Sequence, residues 1–310
     1  MSTFMIDDSM RYYPFIWLLS WSALALLGCT VVSPLLHTTP TSIAPATVPV
    51  ILSTPTLQSV LVEPTMTPTV LVSLTPTPIP DTGWELLQPG LERRIIRLMD
   101  EGGRPLERLY LVRLEPDLYR VTIAYRPGEA RSLAAWQAET GALLLVNGGF
   151  FTEEMLATGR IAVDGSTSGT SYVGFGGMLA ITADFVEIRS LVEQPYDPQE
   201  PLQYALQSFP MLVKPGGKVG FPEEDGVPGR RTVVAIDENG RLLFILAPNG
   251  TFTLHELSRY LVESDLELEV AMNLDGGTST GLRLANPPEE VPAFVPLPVI
   301  IAVYPRTSEQ

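Results

Sequence analysis

Between Thr30 and Pro80 the chain carries ten prolines and twelve threonines but a single charged residue, Glu63, and no helical or alternating period persists there. Such a segment cannot build a core. A residue before proline is kept out of the helical region, proline donates nothing to a sheet ladder, and the Thr-Pro steps at 67–68, 75–76 and 77–78 favour extended polyproline conformations. The segment reads as a disordered linker, either an extracellular stalk bearing sugars on its threonines or a plain spacer. It divides the chain into a leader (1–29), a linker (30–80) and a single folded domain (81–310). At about 230 residues that domain buries about 70% of the surface its unfolded chain exposes, enough to be stable without disulfides.

Upstream of the linker, Phe15 to Gly28 is an uncharged, mostly apolar run that ends at Cys29. It is shorter than the ~20 residues of a membrane span and suits the core of an export signal, with Met10-Arg11-Tyr12-Tyr13 a better leader than the acidic Met1 start. Leu26-Leu27-Gly28-Cys29 resembles a bacterial lipobox, which implies lipidation of Cys29; an uncleaved signal anchor is the alternative. Both place the folded domain outside the cytoplasm, as an extracytoplasmic, membrane-anchored protein of the cell envelope.

The formal net charge is −15 and the sequence pI about 4.6. A nucleic-acid partner is therefore not expected, because phosphate counterions are displaced by basic surfaces. One cysteine excludes an intramolecular disulfide framework and any multi-cysteine metal site, and two histidines, His37 and His255, leave no histidine-rich centre. No cofactor is expected. A divalent cation among the acidic loops is conceivable, but no calcium-loop spacing is present.

The folded part reads as strands broken by glycine turns, with two helices. Leu106–Leu114 and Tyr119–Tyr125 alternate around Glu115-Pro116-Asp117 and predict a hairpin. Ser132 caps a helix that ends at Gly141, and Ala142–Val146 follows as a buried strand. Arg231–Asp237 and Leu242–Leu246 flank Asn239-Gly240, a strong hairpin signal. Thr253 and Glu256 form a capping box for a second helix, and Val270–Leu274 is the next buried strand. Strands preceded by helices, inside a hairpin-rich chain, predict an α+β domain built on a mixed, mainly antiparallel sheet.

Two strand exits share a design: Asn147-Gly148-Gly149 and Asp275-Gly276-Gly277. Each sets a polar side chain at the rim of a sheet, and glycine lets the backbone approach a ligand and turn its N–H groups inward. The hydroxyls of Thr278 and Ser279 extend the second turn. Both patterns also occur as ordinary turns, in which Asp275 would cap its own loop. His255-Glu256 lacks the second histidine of a zinc-protease motif and reads as a helix start, while Lys214 and Lys218 flank a hairpin turn.

Asn147-Gly148-Gly149-Phe150-Phe151, Arg231-Thr232 opening a strand, and Asn273-Leu274-Asp275-Gly276-Gly277-Thr278-Ser279 resemble, in that order, the phosphodiester glycosidase family, across roughly residues 105–305. Thr278 stands where a third glycine is usual, and Phe209 replaces the glycine of a Gly-Pro turn. The resemblance implies a hydrolase that cleaves the glycosidic bond of sugar-1-phosphodiesters, with relatives tied to surface glycans and exopolysaccharide. On that footing a phosphate leaving group needs little protonation, so the protein must chiefly hold phosphate and stabilise an oxocarbenium-like sugar. Arg231 is the expected phosphate clamp, with Arg230 facing solvent beside it; Gly148, Gly149, Phe150 and the turn Gly276–Ser279 are expected to contact substrate. Asn147 would orient substrate or water. Asp275 would act as nucleophile, base or electrostatic stabiliser, with Asp164, Glu153 and Asp237 as possible second carboxylates. The rival expectation is a glycan-binding or envelope-assembly module without turnover on the same fold.

Overall fold

The computed structural model describes residues 79–306; the apolar run, Cys29 and nearly all of the Thr/Pro segment lie outside the described residues. In chain order the elements are β1 (Glu85–Gln88), β2 (Leu91–Met99), β3 (Pro105–Leu114), β4 (Tyr119–Tyr125), α1 (Leu133–Thr140), β5 (Leu144–Asn147), β6 (Ile161–Val163), β7 (Ser166–Ser168), β8 (Gly177–Ile181), β9 (Val186–Ser190), β10 (Tyr204–Ser208), β11 (Met211–Lys214), β12 (Lys218–Val219), β13 (Gly229–Asp237), β14 (Leu242–Phe252), α2 (Leu254–Glu263), β15 (Leu268–Asn273), β16 (Leu282–Ala285), β17 (Pro288–Val291) and β18 (Val299–Pro305).

They form three sheets among the described residues: β1-β2-β3-β14-β13-β15-β11-β12, β17-β16-β5-β18-β4, and β7-β6-β10-β8-β9. The inner faces of all three meet in one core, where Val112, Val234, Phe244 and Met272 of the large sheet pack with Ile123, Val146 and Ile301 of the second and Leu179 and Leu206 of the third. Strand alternation sends the intervening residues outward, and the outer faces of the large sheet and of the second sheet are each covered by a helix, while that of the third packs under loop residues such as Leu191 and Leu202. Leu257 and Leu261 of α2 close over Leu109, Leu111, Val233, Ala235 and Ile245. Leu133 and Trp136 of α1 close over Leu145, Ile300 and Ala302. The order of layers is thus helix, sheet, sheet, helix, and each fully buried leucine in it contributes roughly 1.5–3 kcal/mol.

Both helices start and stop where their local chemistry dictates. Ser132 Oγ accepts the Ala135 N–H (3.2 Å), and Gly141 adopts φ 65° beyond the last turn of α1. At α2, Thr253 Oγ1 accepts the Glu256 N–H (3.1 Å) while the Glu256 carboxylate accepts the Thr253 N–H (2.9 Å). The Asn239-Gly240 hairpin forms between β13 and β14, with Gly240 at φ 79°.

Two expectations are corrected. The predicted hairpin over 106–125 does not form: β3 pairs with β2 and β14, while β4 pairs with β18 in another sheet. Leu109 to Val112 are all buried, the mark of a strand flanked on both edges and both faces, so β3 has no free edge for β4. The sheets are also not mixed, since every ladder between named strands is antiparallel. The strand–helix–strand units do exist, but each is split. β4 and β5 joined by α1 are separated by β18, and β14 and β15 joined by α2 are separated by β13. One antiparallel strand inserted between the two parallel members turns every contact antiparallel.

Candidate active site

Because β5 and β15 each end a split strand–helix–strand unit, their exits leave two different sheets, and they meet. The Asp275 N–H donates to the Gly148 carbonyl (3.1 Å), and Asn147 Nδ2 donates to the Asp275 carbonyl (2.7 Å). Asn147 is fully buried. Its Oδ1 accepts from Thr232 Oγ1 of β13 (2.8 Å) and from the Gly281 N–H (3.0 Å), and its Nδ2 also reaches the Gly148 carbonyl (3.3 Å). An amide offers two donors and two acceptor sites, so all of Asn147 is used in tying the two sheets together.

Gly148 and Gly149 are buried as well. A Cβ on Gly148 would lie 2.8 Å from Val299 Cγ2, and one on Gly149 would lie 3.1 Å from the Gln207 carbonyl oxygen. These glycines admit neighbouring protein.

The second exit is open. Asp275 is half-buried and Gly277 and Thr278 are exposed, whereas Ser279 is buried at the end of a single 3-10 turn. The Gly276 N–H donates to Asp275 Oδ1 (2.9 Å). Burial pushes the Asp275 carboxyl up to about 6, against the downward pull of the Ser279 hydroxyl and the Gly276 N–H. A carboxyl that changes charge near neutral pH is suited to catalysis, and here burial leads over hydrogen bonding in setting it.

Gly276 approaches β13 so closely that a Cβ would lie 2.6 Å from the Arg230 carbonyl oxygen and 4.0 Å from Arg231 Cα. Arg231 is therefore beside the Asp275 turn in the backbone. Its guanidinium, however, donates to the carbonyls of Phe252 (3.2 Å) and Val227 (2.5 Å). Arg230 does not face solvent as the sequence suggested. Its guanidinium donates to the carbonyls of Pro248 (2.9 Å), Thr280 (3.1 Å) and Pro292 (2.8 Å) and lies 4.0 Å from the Phe294 ring centroid. A bulge at the start of β13 shifts the register between Gly229 and Arg231, an irregularity that strand alternation does not reveal. Phe294 in turn donates its N–H to the Thr278 carbonyl (2.7 Å), so Arg230 and the loop at 292–294 brace the turn.

None of the possible second carboxylates is bonded to the Asp275 turn. Asp237 is buried at the far end of β13, about 20 Å along the strand from Arg231 at ~3.3 Å per residue, where it caps the Asn239-Gly240 turn and pairs with Arg241. Asp164 accepts from the Tyr204 hydroxyl in the β6–β7 turn, and Glu153 is exposed. Among the described residues no three His, Cys, Asp or Glu side chains cluster as a metal would require. His255 opens α2 with Nδ1 3.2 Å from the Phe221 carbonyl.

Sequence reading gave no role to three groups at this junction, although Thr232 and Asn273 stand inside the family motifs. Thr232 supplies the hydroxyl that fixes Asn147. Asn273, two residues before Asp275, donates Nδ2 to the Phe209 carbonyl (2.9 Å) and buries Oδ1 without a protein partner, as Thr280 buries Oγ1. Phe150, Tyr172, Phe175 and Phe209 form an aromatic cluster beside the turn. Phe150 and Phe209 stood at motif positions, and Tyr172 and Phe175 carried no signal.

The sequence pattern of the phosphodiester glycosidase family matches residues 140–304, more than half of the chain and both strand exits. The chain belongs to that family. Among solved structures, it is similar to the catalytic domain of zebrafish N-acetylglucosamine-1-phosphodiester alpha-N-acetylglucosaminidase, auto-inhibited by its pro-peptide. That likeness has a TM-score of 0.57 at 19% identity and covers 71% of this chain and 85% of the other. A Burkholderia pseudomallei protein described as exported matches with a TM-score of 0.51 at 12% identity, over 65% of this chain and 74% of its own. At these identities the structural likeness is one of fold. No curated protein matches the sequence.

Proposed function

We propose that this chain is an exported, lipid-anchored hydrolase that cleaves the glycosidic bond of sugar-1-phosphodiesters in surface glycans or glycolipids. The observation that carries the reading is Asp275: a half-buried carboxyl, raised to about 6, at the rim where two sheets meet and beside a turn whose Gly277 and Thr278 are exposed. Family membership supplies the reaction class.

In the proposed step the bond between the anomeric carbon and the phosphate oxygen breaks, its electron pair leaves on the phosphate, and water adds to the sugar. The transition state is positive at the sugar and negative at the phosphate. Asp275 faces the first of these charges and the arginines of β13 the second. Arg231 serves as the clamp by exchanging its carbonyl partners for phosphate oxygens, and Arg230 holds the turn that presents the Gly276–Ser279 donors. Asn147, whose amide is spent on protein, positions the Asp275 backbone. As nucleophile, as base or as electrostatic stabiliser, Asp275 is competent only when ionised. All three roles therefore predict the same ascending pH limb near 6.

The test is release of free sugar from a panel of sugar-1-phosphodiesters by the purified protein and by its Asp275→Asn variant. Full activity in the variant sinks the assignment. Saturable binding of sugar phosphates without product over long incubation favours the non-catalytic binding module.

A further inference from the structure

We propose that the aromatic surface beside the Asp275 turn is a subsite for the hydrocarbon aglycone of a lipid-linked sugar-1-phosphodiester. This deepens the glycosidase reading and rests on it. Phe209 is the hub, with ring centroids 4.7 Å from Phe150, 5.4 Å from Tyr172 and 5.5 Å from Phe175; Tyr172 and Phe175 are 4.9 Å apart. Phe175 is 46% exposed, Phe209 37%, and nearby Val173 83%. Leu86, Val192 and Val227 are exposed as well, but here rings in mutual contact stay partly in water beside an exposed valine, and such a grouping marks a binding surface.

Connectivity places this surface at the site. Phe209 receives the Asn273 amide, two residues before Asp275, and Phe150 follows the Gly148-Gly149 segment whose carbonyl accepts the Asp275 N–H. A sugar-1-phosphodiester has two arms, a sugar on one side of the phosphate and an aglycone on the other. The exposed Gly277 and Thr278 of the turn offer backbone N–H groups and a hydroxyl to the polar arm. The side chains of the aromatic surface carry one polar atom, the Tyr172 hydroxyl, and it is engaged with Thr158 Oγ1 (2.8 Å). A pyranose would need a flat ring on which to lay its C–H face, but these rings meet at interplanar angles of 31°, 36°, 80° and 86°, a broken surface that a flexible hydrocarbon chain follows better. The apolar arm is the one that fits.

The experiment compares methyl and decyl phosphodiesters of one sugar, both below micellar concentration, on the full chain and on Val173→Ser/Phe175→Ser. The expected wild-type result is a kcat/KM roughly 30-fold higher for the decyl substrate, as two to three buried methylenes at about fourfold each give. In the double variant the ratio falls toward one. Equal turnover of both substrates by wild type overturns the subsite while leaving the glycosidase reading intact. If neither is hydrolysed, the glycosidase reading fails and calorimetry with methyl and decyl phosphate decides the subsite. Chain-length-dependent binding that the double variant loses supports it; indifference to chain length overturns it. Binding of wild type to plain phospholipid vesicles with no preference for the decyl substrate also overturns it, in favour of a membrane-docking face.

Discussion

Asn147 ends the second strand of one split strand–helix–strand unit and Asp275 follows that of the other, and each precedes two glycines, yet the fold spends them differently. Asn147 is fully buried, and its amide is saturated by Thr232, Gly281, Gly148 and Asp275. Asp275 keeps its carboxyl at the rim, half-buried, with the Gly276 N–H and the Ser279 hydroxyl beside it. The glycines differ only at the second position: Gly148, Gly149 and Gly276 all make room for protein, whereas Gly277 lies exposed. One exit is a rivet and the other presents chemistry. A local pattern identifies strand rims; which rim holds a site depends on what the other sheet brings to it.

The comparison breaks most sharply at Asp275. Asp275→Asn is expected to lower sugar release by at least about 10³-fold, a loss of the order seen when a group acting at the reacting atoms is removed. The same change should stabilise the protein. The carboxyl is raised from its ordinary 3.8 to about 6 in the folded state. Between those values the native protein therefore binds more protons than the unfolded chain, and stability falls as pH rises through that window. A rise of that size corresponds to about 3 kcal/mol, reduced to about 1–2 kcal/mol for a partly exposed group. Urea denaturation at pH 4 and pH 7.5 should show this slope in wild type and its loss in the variant.

Asn147→Ala should do the opposite. It leaves Thr232 Oγ1, the Gly281 N–H and the Asp275 carbonyl without their partner in a buried junction, at about 1–3 kcal/mol each before relaxation. The expected cost is about 3–4 kcal/mol, read as a shift in the denaturation midpoint. A cost below about 1 kcal/mol would mean that the two sheets are not riveted there.

What was legible in the sequence was whatever is decided within a few residues. Ser132, Gly141, Thr253 and Glu256 set the helix ends, Asn239-Gly240 set a hairpin, and the two glycine motifs marked strand rims. What was not legible depends on partners far along the chain. The alternation in β3 and β4 reports which side chains turn inward but not which strand lies alongside, so a sheet-to-sheet crossing looked like a hairpin. Helices leading into β5 and β15 suggested parallel neighbours, and nothing local reveals that β18 and β13 slot between. Arg230 and Arg231 are adjacent, and only the bulge at the start of β13 and the loop at 292–294 decide where each guanidinium goes. The four aromatic rings come from positions between 150 and 209, and no period connects them.

Smaller effects sharpen the contrast within the Asp275 turn itself. Gly276→Ala places a Cβ 2.6 Å from a backbone oxygen of β13, where no side chain can swing aside. It should cost about 2–3 kcal/mol through strain and displacement of the turn. Gly277→Ala meets open space and is opposed only by φ 56°, so about 1 kcal/mol is expected. Thermal unfolding of both variants measures the difference. Equal effects would mean that the turn is free to move off β13.

The finest test uses pH. The Ser279 hydroxyl pulls the Asp275 carboxyl down while burial pushes it up. Ser279→Ala removes the pull and leaves the push, so the ascending limb of kcat/KM should move to higher pH, whatever the plateau itself loses with one donor of the turn. Thr232→Val provides the control at the other exit. It deprives Asn147 of a hydrogen bond and should lower stability, but Thr232 is not among the groups that set the Asp275 carboxyl, so the limb should stay in place. If Thr232→Val moves the limb as far as Ser279→Ala does, the rivet and the reactive carboxyl form one electrostatic unit, and the division of labour between the two exits fails.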